Sequence, residues 1–96
     1  MASDRVLTSV VTADVAVVSS RAQIHGFIVE GGTAAVTTAI IYDNTSAAGT
    51  EIARCRANIG DSIAVMFPGP RFCNIGIFVD ITTTGGSVTV LYEDVP

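Results

Sequence analysis

Residues 74–93 read NIGIFVDITTTGGSVTVLYE. Ile75, Ile77, Val79 and Ile81 recur at every second position, separated by Asn74, Gly76, Phe78 and Asp80. Beyond Gly85-Gly86, Val88, Val90 and Tyr92 alternate in the same way with Ser87, Thr89, Leu91 and Glu93. A period of two sends successive side chains to opposite faces of a strand, so both segments read as half-buried β-strands. Gly85-Gly86 between them has the composition of a hairpin turn.

The same grammar extends across the chain. Short runs rich in Val, Ile, Thr, Phe and Tyr are broken about every eight to twelve residues by Gly, Pro, Asn, Asp or Ser. The runs predict strands over Arg5–Thr12, Val15–Ser19, Ala22–Glu30, Ala35–Asp43, Thr50–Ala57, Ser62–Phe67, Asn74–Thr82 and Ser87–Glu93. Pro68-Gly69-Pro70 is expected to stop a strand, because proline removes a ladder donor. No stretch has the apolar spacing of an amphipathic helix. The fold class expected is all-β: a single antiparallel β-sandwich, jelly-roll-like, of about eight short strands. It occupies residues 1–96 as one domain, with residues 1–12 as an N-terminal arm or edge strand contacting a neighbouring subunit.

Two runs depart from simple alternation. In Ile24-His25-Gly26-Phe27-Ile28-Val29, Ile24 and Ile28 mark one face while Phe27 and Val29 make the other apolar as well. A strand apolar on both faces needs cover on both sides, from a loop or from a neighbouring subunit, and the reading taken is the subunit; the rival is a wholly internal strand. In Val36–Tyr42, alternation sets Ile41 against Val36, Ile40 and Tyr42 unless a bulge intervenes.

Composition strengthens the oligomer reading. The chain is 49% hydrophobic and 15% charged, where an average domain carries roughly 25% charged residues. A domain of this length hides only roughly 60 to 65% of its unfolded surface when it folds alone. Its gain from burial comes close to cancelling an ordering cost of about 1.5 kcal/mol per residue, so surplus apolar surface is best used between subunits. The candidate interface residues are His25, Phe27, Val29, Arg5 and Arg21.

The formal charge is −4, from nine acidic residues against five Arg and no Lys. Arg5, Arg21, Arg54, Arg56 and Arg71 are spread along the chain, unlike the basic face of a nucleic-acid binder. The apolar runs are too short and too interrupted to span a bilayer as helices. The segment Met1–Arg5 has no basic region leading into an apolar stretch, so the expectation is synthesis in the cytosol, with Cys55 and Cys73 as reduced thiols within strands.

No cofactor, metal or catalytic residue is assigned. Two Cys and one His at these spacings do not make a zinc site. A nucleophile needs a base within reach, yet His25 lies in a strand and no loop signature surrounds either Cys. The stretch Tyr42–Thr50, YDNTSAAGT, matches a glycan acceptor at Asn44 without a signal peptide to deliver it, and lacks the spaced oxygens of a calcium loop. It reads as a corner in which Asp43 and Asn44 bond to the following backbone and Gly49 takes positive φ.

Taken together, Ile24–Val29, Ile40–Ile52, Ile59-Gly60-Asp61-Ser62 before a Phe67-Pro68 corner, and the closing Val88–Glu93 resemble small structural proteins encoded in tailed-phage genomes. The resemblance covers about residues 20 to 93 and looks most like capsid decoration or cement proteins of β-sandwich type. It implies a homotrimer on the outer shell of the virion that binds the major capsid protein and bridges capsomers, made in the host cytoplasm. The alternatives are a neck or tail-associated structural role, or a glycan-binding module on a receptor fibre. For the last, Tyr42 and Tyr92 would be the stacking residues, although the chain has no Trp.

Overall fold

The computed structural model describes residues 6–95. These form eight strands: β1 (Leu7–Val11), β2 (Val15–Val18), β3 (Ala22–Glu30), β4 (Thr37–Asp43), β5 (Thr50–Ala57), β6 (Ser62–Cys73), β7 (Ile77–Thr82) and β8 (Ser87–Asp94). They make two antiparallel sheets, ordered β1-β8-β3-β6 (sheet A) and β2-β7-β4-β5 (sheet B). β4 pairs with β5, β3 with β6, β2 with β7 and β1 with β8, and these pairs alternate between the sheets. The chain is therefore one long ribbon, turned back at the β4–β5 connection and rolled into a jelly-roll sandwich.

That winding corrects one expectation. β7 and β8 lie in different sheets, so Gly85-Gly86 is a corner crossing the sandwich and not a hairpin turn. Alternation identifies a strand and its faces; it carries no information about the strand's partner. The ribbon's true turn is Asn44–Gly49, where Gly49 takes φ 85°. Asn44 holds this turn from both sides: its Nδ2 donates to the Ala48 carbonyl at 2.8 Å and its Oδ1 accepts from the Thr45 N–H at 2.7 Å.

The doubly apolar strand has a local explanation. In β3, Ile24 pairs with Tyr92 and Gly26 with Leu91, consecutive residues of β8, so His25 is an extra residue and forms a β-bulge. The bulge resets the alternation. Ile24, Phe27 and Val29 all enter the core and are fully buried, while Gln23, His25 and Ile28 remain half-buried on the outer face. One strand thus serves one core.

On the other side of β3 the distortion is larger. Between the pairs Ile24↔Arg71 and Gly26↔Met66, β6 inserts Phe67, Pro68, Gly69 and Pro70 opposite His25. The strand expected to end at Phe67 instead continues to Cys73. Proline is tolerated there because β6 is the edge of sheet A, where a missing N–H costs no ladder bond. Phe67 turns back onto Phe27, with ring centroids 6.4 Å apart.

Two further strands start later than expected, β4 at Thr37 and not Ala35 with its alternation as read, and β7 at Ile77. On β4, Thr37, Ala39 and Ile41 face the core and Ile40 faces outward, with a register shift against β5 after Ile41. β7 begins at Ile77, not Asn74, and Ile75 is exposed, because Asn74–Gly76 forms a loop held by Asp43. Thr37, the buried polar residue of the core, shares a 2.6 Å hydrogen bond with the Thr83 hydroxyl. No buried side-chain nitrogen or oxygen among the described residues lacks a partner.

The bulge makes a direct prediction. Phe27→Ala removes a core ring and is expected to cost about 3 to 5 kcal/mol, whereas Ile28→Ala on the outer face is expected to cost about 1 kcal/mol. Urea unfolding of the two variants measures the difference, and equal losses would contradict the assigned phase.

Candidate functional site

Among the described residues there is no pocket and no group of three or more His, Cys, Asp or Glu able to hold a metal ion. Sheet A presents its outer face through residues that the register sets side by side: Val10, Thr89, Ile28 and Ala64 in one row, and Thr8, Leu91 and Met66 in the next. Val10 is 67% exposed and Met66 51%, so both edges of this sheet are apolar at the surface.

His25 lies at the centre of that face. Its Nε2 is 2.5 Å from Glu93 Oε1 across the β3–β8 ladder, and both side chains are half-buried. The interaction occupies the imidazole with a carboxylate of the same surface. Neither thiol offers it a nucleophile, because Cys55 on β5 and Cys73 at the end of β6 pack toward the core. Burial pushes the Cys73 thiol up to about 11, with the Asp43 carboxylate adding to the rise and Arg71 opposing it. A thiol of that pKa stays protonated and unreactive at neutral pH.

The other expected interface residues fall in three places. Phe27 and Val29 are fully buried between the sheets, so the cover inferred for them comes from the chain's own sheet B and not from a neighbour. Arg21 is exposed at the start of β3, with its guanidinium carbon 5.2 Å above the Phe72 ring; Arg71 stacks in the same way on Phe67 at 5.6 Å. The first five residues of the proposed N-terminal arm, Arg5 among them, lie outside the described residues, and the rest of that arm contains β1, an edge strand of sheet A. Sequence reading missed half-buried Ile28 and Leu91 and exposed Met66 as the apolar set on the outer face of sheet A. Gly26 is the signal that could have found them, since glycine inside a strand marks a bulge or a close backbone approach. A Cβ at position 26 would lie 2.5 Å from the Val65 carbonyl oxygen and 2.6 Å from Met66 Sδ.

Sheet B differs in character. Its β5 edge carries Glu51, Arg54 and Arg56, with Arg54 donating to both carboxylate oxygens of Glu51 at 2.8 and 2.5 Å. That hydrogen-bonded pair holds Glu51 below the usual carboxylate range. On β7, burial pushes the Asp80 carboxyl up, reinforced by the charge of Asp14 and a hydrogen bond with it. Asp14 also accepts the Ile81 N–H at 2.8 Å.

Asp43 is the most connected carboxylate. Its oxygens accept the backbone N–H groups of Asn74, Ile75 and Gly76 at 3.1, 2.9 and 3.4 Å. Sequence reading expected it to bond to the residues just after it; it ties the ribbon's turn to a loop 31 to 33 residues away. Comparison with protein-family models, curated proteins and solved structures finds no match to this chain.

Two predictions come from these carboxylates. Asp43→Ala leaves three amides without their acceptor and is expected to lower stability by about 1 to 3 kcal/mol in chemical denaturation, with Asp43→Asn intermediate. Asp80→Asn is expected to raise the melting temperature at pH 7. A carboxyl raised above its unfolded value favours the fold below that value, and this contribution is lost as pH rises through the folded one. The advantage of the variant should therefore shrink as the pH is lowered to about 4 and below, where aspartate is protonated in both states. A melting difference that does not change with pH would contradict a raised Asp80 carboxyl, whose first cause is burial.

Proposed function

We propose that this protein is a structural subunit of a tailed-phage virion, a decoration or cement protein that binds the outer shell as a homotrimer and bridges neighbouring capsomers. The observation that carries the reading is the placement of exposed apolar side chains on a sandwich that has no pocket among its described residues. Val6, Val10 and Val15 line the β1–β2 side, and Ile63, Met66 and Phe72 line β6, each between 39% and 67% exposed. Exposed apolar side chains along a sheet edge favour contact with protein, and a chain this small gains by covering them. The sequence resemblance described above supplies the setting, and a β-sandwich is the fold that the resemblance implies.

The mechanism is mechanical. A subunit that binds the expanded shell, and not its precursor or its free capsomers, stabilises that state by mass action. Three copies held together bind three sites with a local concentration set by their tether, so weak contacts add into durable retention. Decoration requires no bond-making step. Sedimentation velocity is expected to give a trimer, and the protein is expected to remain on purified expanded particles through a gradient. A monomer that never co-sediments with shells would overturn the reading.

A further inference from the structure

The four edge strands of the sandwich are not equally protected. Edge strands expose unpaired N–H and C=O groups, and proteins blunt them with charge, proline or distortion. In sheet B, β5 carries Glu51, Arg54 and Arg56, while β2 is four residues long and bulged between Ala16 and Val18. Sheet A differs. β1, Leu-Thr-Ser-Val-Val over Leu7–Val11, has no charge and no proline. β6 has none over Ser62–Phe67, and Pro68 follows at once. Each bare edge faces away from the sheet, since among the described residues β1 pairs only with β8 and β6 only with β3.

The geometry points to a second copy of this chain as the occupant: β1 of one copy adds to β6 of the next, joining their A sheets head to tail. This deepens the oligomer reading above and rests on it. Three features favour that junction over a two-fold β1–β1 contact. Strand directions alternate through β1, β8, β3 and β6, so copies side by side about an axis along the strands present β6 and β1 antiparallel, as every other pair in the fold runs. The lengths also match, with the five residues of β1 fitting the five from Ile63 to Phe67 before proline ends the edge. Finally, one register keeps both faces in phase. It sets outward Val10 beside Ala64 and Thr8 beside Met66, with inward Leu7, Ser9 and Val11 beside Phe67, Val65 and Ile63. A slip of two residues in either direction runs into Pro68 or leaves the strand. A β1–β1 contact would leave the bare half of β6 uncovered. Because the contact is heterologous, it closes a ring when each copy is rotated by a constant angle, and a trimer is such a ring.

The test uses two variants at exposed outer-face positions, Thr8→Lys/Val10→Lys on β1 and Ala64→Lys/Met66→Lys on β6. Circular dichroism melting checks that each folds. In sedimentation velocity each variant alone is expected to run as a monomer, and their mixture as a one-to-one heterodimer, since it retains a single intact β1–β6 junction. Hydrogen exchange of the unaltered chain gives a second readout. Amides in Leu7–Val11 and Ile63–Phe67 should gain protection together as concentration rises. A variant that keeps the unaltered chain's mass overturns the edge pairing and leaves shell binding untouched. Loss of assembly in the β1 variant alone identifies the two-fold contact instead. A mixture that stays monomeric, or edge amides indifferent to concentration, also overturns the proposal. An assembled protein that does not bind shells overturns only the virion reading.

Discussion

The architecture depends on one inserted residue. β3 is hydrogen-bonded on both sides, to β8 and to β6, so its phase is imposed on three of the four strands of sheet A. Were His25 accommodated in regular alternation instead of in a bulge, Ile24 and Phe27 would fall on opposite faces, and either Ala22 and Ile24 or Phe27 and Val29 would turn to solvent. Fully burying a side chain such as Ile or Phe stabilises by roughly 1.5 to 3 kcal/mol, so losing two large ones would remove much of a small domain's margin. The bulge brings both halves of the strand onto one core. It leaves His25 outside, where Glu93 meets it.

The ends of the roll are fastened by polar ties that complement this apolar core. At one end Asp43 anchors Asn74–Gly76, which fixes where β7 can begin and keeps it beside β4. At the other, the Thr37 and Thr83 hydroxyls meet, and Thr83 also accepts the Gly86 N–H at 3.0 Å, holding the crossing from β7 to β8. The Asp43 and Thr37–Thr83 bonds join residues distant in sequence, at the points where the ribbon changes sheets. Hydrophobic packing is non-directional and would tolerate sliding of one sheet on the other. Directional bonds at both ends of the roll oppose it.

The strands themselves were legible because alternation is a local property: Ala22–Glu30 and Thr50–Ala57 were bounded correctly, and β8 to within one residue. Partnership was not legible. The pairing of β1 with β8 joins opposite ends of the chain, and Gly85-Gly86 has the same composition whether it closes a hairpin or crosses a sandwich. The phase of β3 was misread for a related reason, since a bulge is one residue against the period and Gly26 was its only local mark. Asp43 shows the limit most clearly. Its capping capacity follows from its side chain, yet the amides that it caps are near only after folding.

The same insertion governs what the surface can offer. Opposite His25, β6 must carry four residues where β3 carries one, and two of them are proline. Those prolines end the free edge of β6 at Phe67 and leave a five-residue stretch, from Ile63, of the length of β1. A continuous edge as long as the whole of β6 would accept strands in several registers, and loosely specified edges promote open-ended association. A short bare edge bounded by proline accepts one register, and a matched partner edge on the same chain limits association to copies of itself. Under the proposed junction, the distortion that sets the core's phase also determines how far a neighbour's strand can extend. Core and assembly would then be two consequences of one residue inserted in β3.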